Sequence, residues 1–228
     1  MQAQNLLLDA DDTLWESNIY FERVIEEFLD RLDHSGKSRE EMRRIVNGIE
    51  HAHLATRGYG AKPFGLNLID AFQELTELPV DDTMRRWIED RVAGIENHAI
   101  ELLDGVADTL AYLAERHLLV LLTKGEAAEQ SRKLQRSGVG GYFNAVEVVR
   151  EKDTQTYLNT LGKHGFDISR TWMIGNSPKS DINPALAAGL RAILIPHDRT
   201  WILEHENLPA DPERFLIIDR FARLRQIF

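Results

Sequence analysis

The chain has 228 residues, enough for one medium domain or for a core of about 100–150 residues carrying a smaller one. An apolar fraction of 43 % with 28 % charged residues allows a full core, and the absence of cysteine removes disulfides, thiol nucleophiles and thiolate metal sites. The net charge of −10 argues against a nucleic-acid partner, which needs clustered Lys and Arg. It does not exclude a small phosphorylated substrate, because a bound divalent cation inverts the local field.

The opening residues, Met1-Gln2-Ala3-Gln4-Asn5, lack the basic start and apolar run of a signal peptide. No later stretch approaches the roughly 18 continuous apolar residues of a membrane span. A cytoplasmic protein with no membrane association is expected. Leu6-Leu7-Leu8 reads as a short buried strand ending at Asp9. From there the pattern is helical. Phe21, Ile25, Phe28, Leu29 and Leu32 fall at helix spacing. Ser38 with Glu41 forms a capping box ahead of Met42, Ile45 and Ile49. A Gly- and Pro-punctuated loop spans 57–65, and further helices are predicted over about 66–77 and 81–103.

Beyond Asp104-Gly105, helices alternate with short apolar runs: Leu118–Leu122, Ala145–Val149, Trp172–Gly175, Ala192–Ile195 and Phe215–Ile218. Short buried strands alternating with helices predict a parallel sheet covered on both faces, with chemistry at the carboxyl ends of its strands. The helical stretch, residues 16–99, is too long for a plain loop and is expected to be a small domain inserted after the first strand.

The strand-end residues are then the ones that carry chemistry: Asp9, Asp11, Asp12 and Thr13, then Thr123, the polar run around Lys152, and Asn176, Ser177 and Asp181. Several carboxylates in one pocket need a cation to remain ionised together, and hard oxygen ligands favour Mg²⁺. A lysine and a hydroxyl suit the oxygens of a phosphoryl group. A carboxylate can also serve as the nucleophile of covalent catalysis. Taken singly, each residue has an ordinary reading: Asp9 as a helix cap, Thr123 as a strand-end hydroxyl, and Lys152 as a surface cation with Lys124 and Lys163 as rivals.

Asp9-Ala10-Asp11-Asp12-Thr13, Thr123, Lys152 and Gly175-Asn176-Ser177-Pro178-Lys179-Ser180-Asp181 occur in that order. In this the chain resembles the haloacid dehalogenase-like hydrolase superfamily, and its phosphatase members in particular. The resemblance implies an α/β fold: a Rossmann-like parallel-sheet core over residues 1–15 and 100–228, with an all-helical cap of the C1 type over 16–99. It implies a Mg²⁺-dependent phosphatase acting on a small phosphorylated metabolite. Asp9 would be the nucleophile and Asp11 the acid/base, and Thr123 and Lys152 would hold the phosphoryl oxygens. Asp9, the Asp11 main-chain carbonyl, Asn176 and Asp181 would hold the metal. Asn176 departs from the family's acidic residue. It offers a carbonyl but no charge, which leaves open weaker metal binding, transfer of the role to Asp181, or loss of catalysis. An active enzyme is the favoured expectation. A phosphomutase would keep the same core residues, whereas a dehalogenase would carry a non-acidic residue, often Tyr, at Asp11. A weakened binding module is the further alternative. Arg57 and Lys62, in the Gly-rich loop with His51 and His53 nearby, are candidate substrate-binding cations, against the plainer reading of a surface connection.

Overall fold

The computed structural model describes residues 2–32 and 36–228. Among them, a six-stranded parallel sheet is built from β1 (Asn5–Leu8), β2 (Leu118–Lys124), β3 (Ala145–Val149), β4 (Thr171–Gly175), β5 (Arg191–Leu194) and β6 (Phe215–Ile217), in the order β3-β2-β1-β4-β5-β6. The run Leu6-Leu7-Leu8 is continuous because both sheet faces are covered. Leu6 and Leu8 pack with Val106, Leu110 and Leu113 of α5 (Val106–Ala114), whereas Leu7 packs with Tyr157 and Leu161 of α7 (Thr154–His164). Val120 and Leu122 share the α7 face, and Leu119 and Leu121 the α5 face. This is the expected Rossmann-like α/β arrangement.

Four helices occupy the insertion: α1 (Asn18–Arg31), α2 (Arg39–Arg57), α3 (Ala61–Thr76) and α4 (Asp82–Asn97). The capping box is present, with Ser38 N–H on Glu41 Oε2 at 2.8 Å and Glu41 N–H on Ser38 Oγ at 3.3 Å. Two boundaries differ from the sequence reading. Helix α3 starts five residues before Leu66, because Pro63 falls in its first turn, where a missing N–H breaks no helical bond. Helix α4 stops at Asn97, not near Leu103. Its downstream residues leave helical geometry to pair with the chain around Trp15: Glu16 N–H bonds Glu101 O at 3.0 Å and Leu103 N–H bonds Leu14 O at 2.9 Å.

The chain forms two compact units, Met1–Asn18 with Ile100–Phe228, and Ile19–Ala99. The helical unit has its own core around Phe28, Leu29, Met42, Phe64, Leu68, Trp87 and Ile88. Among the described residues, no helix is long and apolar enough to cross a membrane. The remaining helices, α6 (Ala127–Ser137), α8 (Asn183–Ala187) and α9 (Leu224–Ile227), belong to the α/β unit.

Candidate active site

The strand order reverses between β1 and β4, where open α/β sheets leave a crevice at the carboxyl ends. Asp9 follows β1, with its N–H on Ile174 O at 2.9 Å, and Asn176 follows β4. Thr13 ties the two together. Its hydroxyl lies 3.1 Å from Asp9 Oδ2 and 3.1 Å from Asn176 Oδ1. Asn176 in turn donates its amide to Thr200 Oγ1 at 3.1 Å, which leaves its carbonyl oxygen facing the Thr13 hydroxyl. The turn between Asp9 and Thr13 puts Asp12 at φ 59°, in the left-handed region that favours glycine. Asp12 tolerates it by accepting from Ser17 N–H (2.8 Å) and Asn18 N–H (3.1 Å), which caps the start of α1. Burial pushes its carboxyl up to about 7.

Lys152 lies three residues past β3, two strands away from β1, and its long stem spans the gap. Its ammonium bonds Asp9 Oδ1, and bonds Asp181 Oδ1 at 2.8 Å. The second oxygen of Asp181 accepts Ser177 N–H at 2.9 Å. A methyl group on Gly175 would sit 2.1 Å from that oxygen, so only glycine lets Asp181 approach the strand. Tyr157, fully buried, donates to Ser180 O at 2.8 Å and holds the same turn from the α7 side. Two carboxylates share one ammonium here. Burial pushes the Asp9 carboxyl up to about 7 against the pull of Lys152, and the charge of Asp181 adds to the rise. Lys152 is held above its usual range because Asp181 and Asp9 outweigh the burial that would lower it.

Asp11 sits in a different environment. Lys133 Nζ lies 3.0 Å from its Oδ1 and 3.1 Å from its Oδ2, Trp15 Nε1 donates to Oδ1 at 2.8 Å, and Gln130 Nε2 donates to Oδ2 at 2.9 Å. Burial alone would raise this carboxyl, but Lys133, Gln130 and Trp15 bring it below the usual carboxylate range. The resting protein therefore holds Asp11 as a carboxylate. Trp15 is fully buried and, through this bond, an anchor for Asp11.

The other sequence candidates fall as follows. Thr123 is buried inside β2, two residues past the Leu8–Leu121 pair, with its hydroxyl on Lys124 O at 3.3 Å. Of the three candidate lysines, Lys152 bonds Asp9. Lys124 bonds Glu204 at 2.6 Å and Ser180 at 2.7 Å, and Lys163 bonds Glu147 at 2.8 Å. In the helical unit, Arg57 is bound to Asn67 Oδ1 and Asp70 Oδ2, each at 2.7 Å, and Lys62 is an exposed residue in the first turn of α3. His53 stands 3.6 Å from Asp70, and His51 is exposed. Sequence reasoning missed Gln130, Lys133 and Glu204. The first two gave no clear signal in the sequence, because α6 has one large aliphatic residue, Leu134, and only the fold shows Glu129, Gln130 and Lys133 buried beside it.

The donor set suits a hard divalent cation. Asp9 Oδ2 and Asn176 Oδ1 each lie 3.1 Å from the Thr13 hydroxyl, and the buried carboxylates exceed the ammonium that serves them. Both Asp181 oxygens are engaged by Lys152 and Ser177, so its present contacts are those of a residue that supports Lys152. A separate trio, Asp12, Glu16 and His197, also brings one ligand atom each within 4.8 Å of the others.

Residues 4–189 match the haloacid dehalogenase-like hydrolase family, and the chain belongs to it. Its fold is shared with a haloacid dehalogenase-like family hydrolase from Xanthomonas campestris, 30 % identical, with 99 % of this chain and 94 % of that one covered at a TM-score of 0.83. A 2-haloacid dehalogenase from Pseudomonas syringae pv. Tomato DC3000 matches 99 % of this chain and 98 % of its own at a TM-score of 0.65, but at 20 % identity it shares the fold alone. Over 100 residues the chain is 34 % identical to the pyrimidine 5'-nucleotidase PynA of Streptococcus pneumoniae. That match spans 41 % of this chain and 42 % of PynA, less than half of either.

Proposed function

We infer that the protein is a Mg²⁺-dependent phosphatase that cleaves a small phosphate monoester through an aspartyl-phosphate on Asp9. The observation that carries this reading is Asp11. A second carboxylate, two residues beyond the nucleophile and held by three donor side chains, has a use in phosphoryl transfer and none in expelling a halide. Fold likeness does not choose between the two chemistries, because function lies in the site.

In this reading the Asp9 carboxylate attacks phosphorus as the ester P–O bond breaks. The leaving alkoxide takes a proton from Asp11, which receives one beforehand from a substrate entering as its monoanion. Asp11, again a carboxylate, takes a proton from water. The water oxygen bonds phosphorus and the acyl-phosphate P–O bond breaks, which restores the Asp9 carboxylate; Asp11 passes its proton to the departing inorganic phosphate and returns to its resting carboxylate. Thr123 and Lys152 orient the phosphoryl oxygens. Asp9, the main-chain carbonyl of Asp11 and Asn176 would hold Mg²⁺, with Asp181 contributing charge behind Lys152. When bound, the cation neutralises the negative charge on the transferring group. The helical unit serves as a C1-type cap, with Arg57 and Lys62 as its substrate-binding cations.

Nucleoside 5'-monophosphates are the first substrate class to test, on the strength of the PynA match. Phosphate release from p-nitrophenyl phosphate and from a panel of nucleotides and sugar phosphates, with Mg²⁺ and with EDTA, checks the reading. Metal-dependent release supports it. Halide release from 2-chloropropionate without phosphatase activity overturns it. Conversion of one sugar phosphate isomer to another without phosphate release assigns a mutase instead.

A further inference from the structure

We propose that Lys133, with Gln130, is a positioning residue that fixes the carboxyl group of Asp11 for proton transfer at the scissile phosphate. The proposal rests on the phosphatase reading above and adds a pair of residues to its machinery.

Four N–H···O contacts converge on the two Asp11 oxygens, two from Lys133 and one each from Gln130 and Trp15. Gln130 and Lys133 are three residues apart on α6, so one helix face presents both. That face is otherwise where a helix packs apolar side chains. Here it buries an ammonium and an amide, whose desolvation needs a compensating partner, and Asp11 is that partner. Glu129, one turn before Lys133 and 3.5 Å from it, steadies the ammonium from the other side, and Ser17 Oγ lies 3.5 Å away.

The approach of Gln130 is itself built in. Gly125, at φ 131°, allows no side chain, and a methyl group there would lie 3.0 Å from Gln130 Nε2. The same amide bonds Lys124 O at 3.0 Å, so the loop after β2 and the start of α6 are locked to one geometry. The Lys133 side chain is 7 % exposed, whereas that of Asp11 is 29 % exposed. The acid/base therefore has one open side, and its buried side is covered by the α6 donors and Trp15. A carboxylate on two rotatable bonds would otherwise sample several rotamers, and proton transfer needs it within hydrogen-bond reach of both the leaving oxygen and the attacking water.

Three variants test this: Lys133→Met, Lys133→Arg and Gln130→Met. Steady-state kinetics would be measured with an alkyl phosphate and with p-nitrophenyl phosphate, and the acid-quenched phosphoenzyme quantified by intact mass. Displacement of a catalytic group by about 1 Å costs on the order of 10²-fold, so Lys133→Met should lower kcat for the alkyl ester by about that factor with KM little changed. The loss should be smaller for p-nitrophenyl phosphate in the phosphoryl-transfer step, because p-nitrophenolate leaves without a proton. With p-nitrophenyl phosphate the phosphoenzyme should accumulate, because its formation is largely spared while water attack needs Asp11 in place. Arg at 133, which keeps the charge and two donors, should restore about a tenth or more of wild-type kcat. Gln130→Met removes a neutral donor without stranding a charge. It should show the same pattern more weakly, and carries the test if Lys133→Met fails to fold. A kcat within about twofold of wild type in both Met variants, or a rise in kcat, overturns the proposal. So does an equal loss on both esters without phosphoenzyme. Wild-type protein inactive on every ester would instead sink the phosphatase reading, which keeps the two failures apart.

Discussion

The helical unit and the α/β unit solve burial in opposite ways. Between Ile19 and Ala99 the described interior is almost wholly apolar, with Glu50 and Asn67 its buried polar residues. The α/β unit buries Asp9, Asp12, Thr13, Lys133, Lys152, Asn176, Ser177, Asp181 and Glu204, gathered near the carboxyl ends of its strands. Taking each ion out of water costs several kcal/mol after relaxation, so this clustering lowers stability unless every charge has a partner. One unit is built for packing, and the other spends packing on a charged site.

The largest expected effect falls on Asp9. Asp9→Asn should lower kcat by about 10⁴-fold or more, as loss of a covalent nucleophile does. It should also raise the melting temperature of the metal-free protein at pH 8, since Lys152 would then serve one buried carboxylate instead of two. Substantial phosphatase activity in this variant, measured as phosphate release, breaks the assignment.

Lys152→Met and Phe28→Ala form a matched pair across the two units. Breaking a buried ion pair and emptying a buried phenyl site each cost about 3–5 kcal/mol. The first loss should shrink at low pH, where Asp9 can take a proton, and the second should not vary with pH. Denaturant melts at pH 5 and pH 8 measure both. Equal pH dependence in the two variants would erase the contrast between the units.

A smaller effect follows from the raised carboxyls. Asp9 and Asp12 titrate near 7 in the folded protein, against an ordinary value of 3.8. A folded-state pKa above the unfolded one gives stability that is fully present below the unfolded value and lost as pH rises through the folded one. The metal-free protein should therefore melt several degrees lower at pH 8 than its other charges would dictate. Mg²⁺, which competes with protons for Asp9, should raise the melting temperature at pH 8 and have little effect at pH 5.5. Equal stabilisation at both values would mean that Asp9 takes no part in holding the ion.

Much of this site was legible in the chain because strand ends are marked by polarity. The runs that lead to Asp9, Thr123 and Asn176 are apolar until a polar residue ends them, and parallel strands place those ends on one edge. Asp11 was legible in its motif, but its partners were not. Trp15 looks like packing, and Gln130 and Lys133 look like the solvated face of a helix until α6 is seen to turn that face inward. The helix boundary at Asn97 was misread for a related reason. Local periodicity ran through Leu103, while pairing with the Trp15 segment drew the chain out of helical geometry.

The sequence by itself determined the α/β class, the inserted helical stretch and the order of the four motifs, because apolar periodicity and turn residues act over a few neighbours. Tertiary structure decided which charges meet. It joined Lys152 to both Asp9 and Asp181, brought Asn176 Oδ1 to the Thr13 hydroxyl that also meets Asp9, and placed α6 behind Asp11. The physical reason is range. A strand or a cap forms from adjacent residues, whereas a buried ion pair joins residues far apart in the chain, and the pairing is set by strand order and desolvation together.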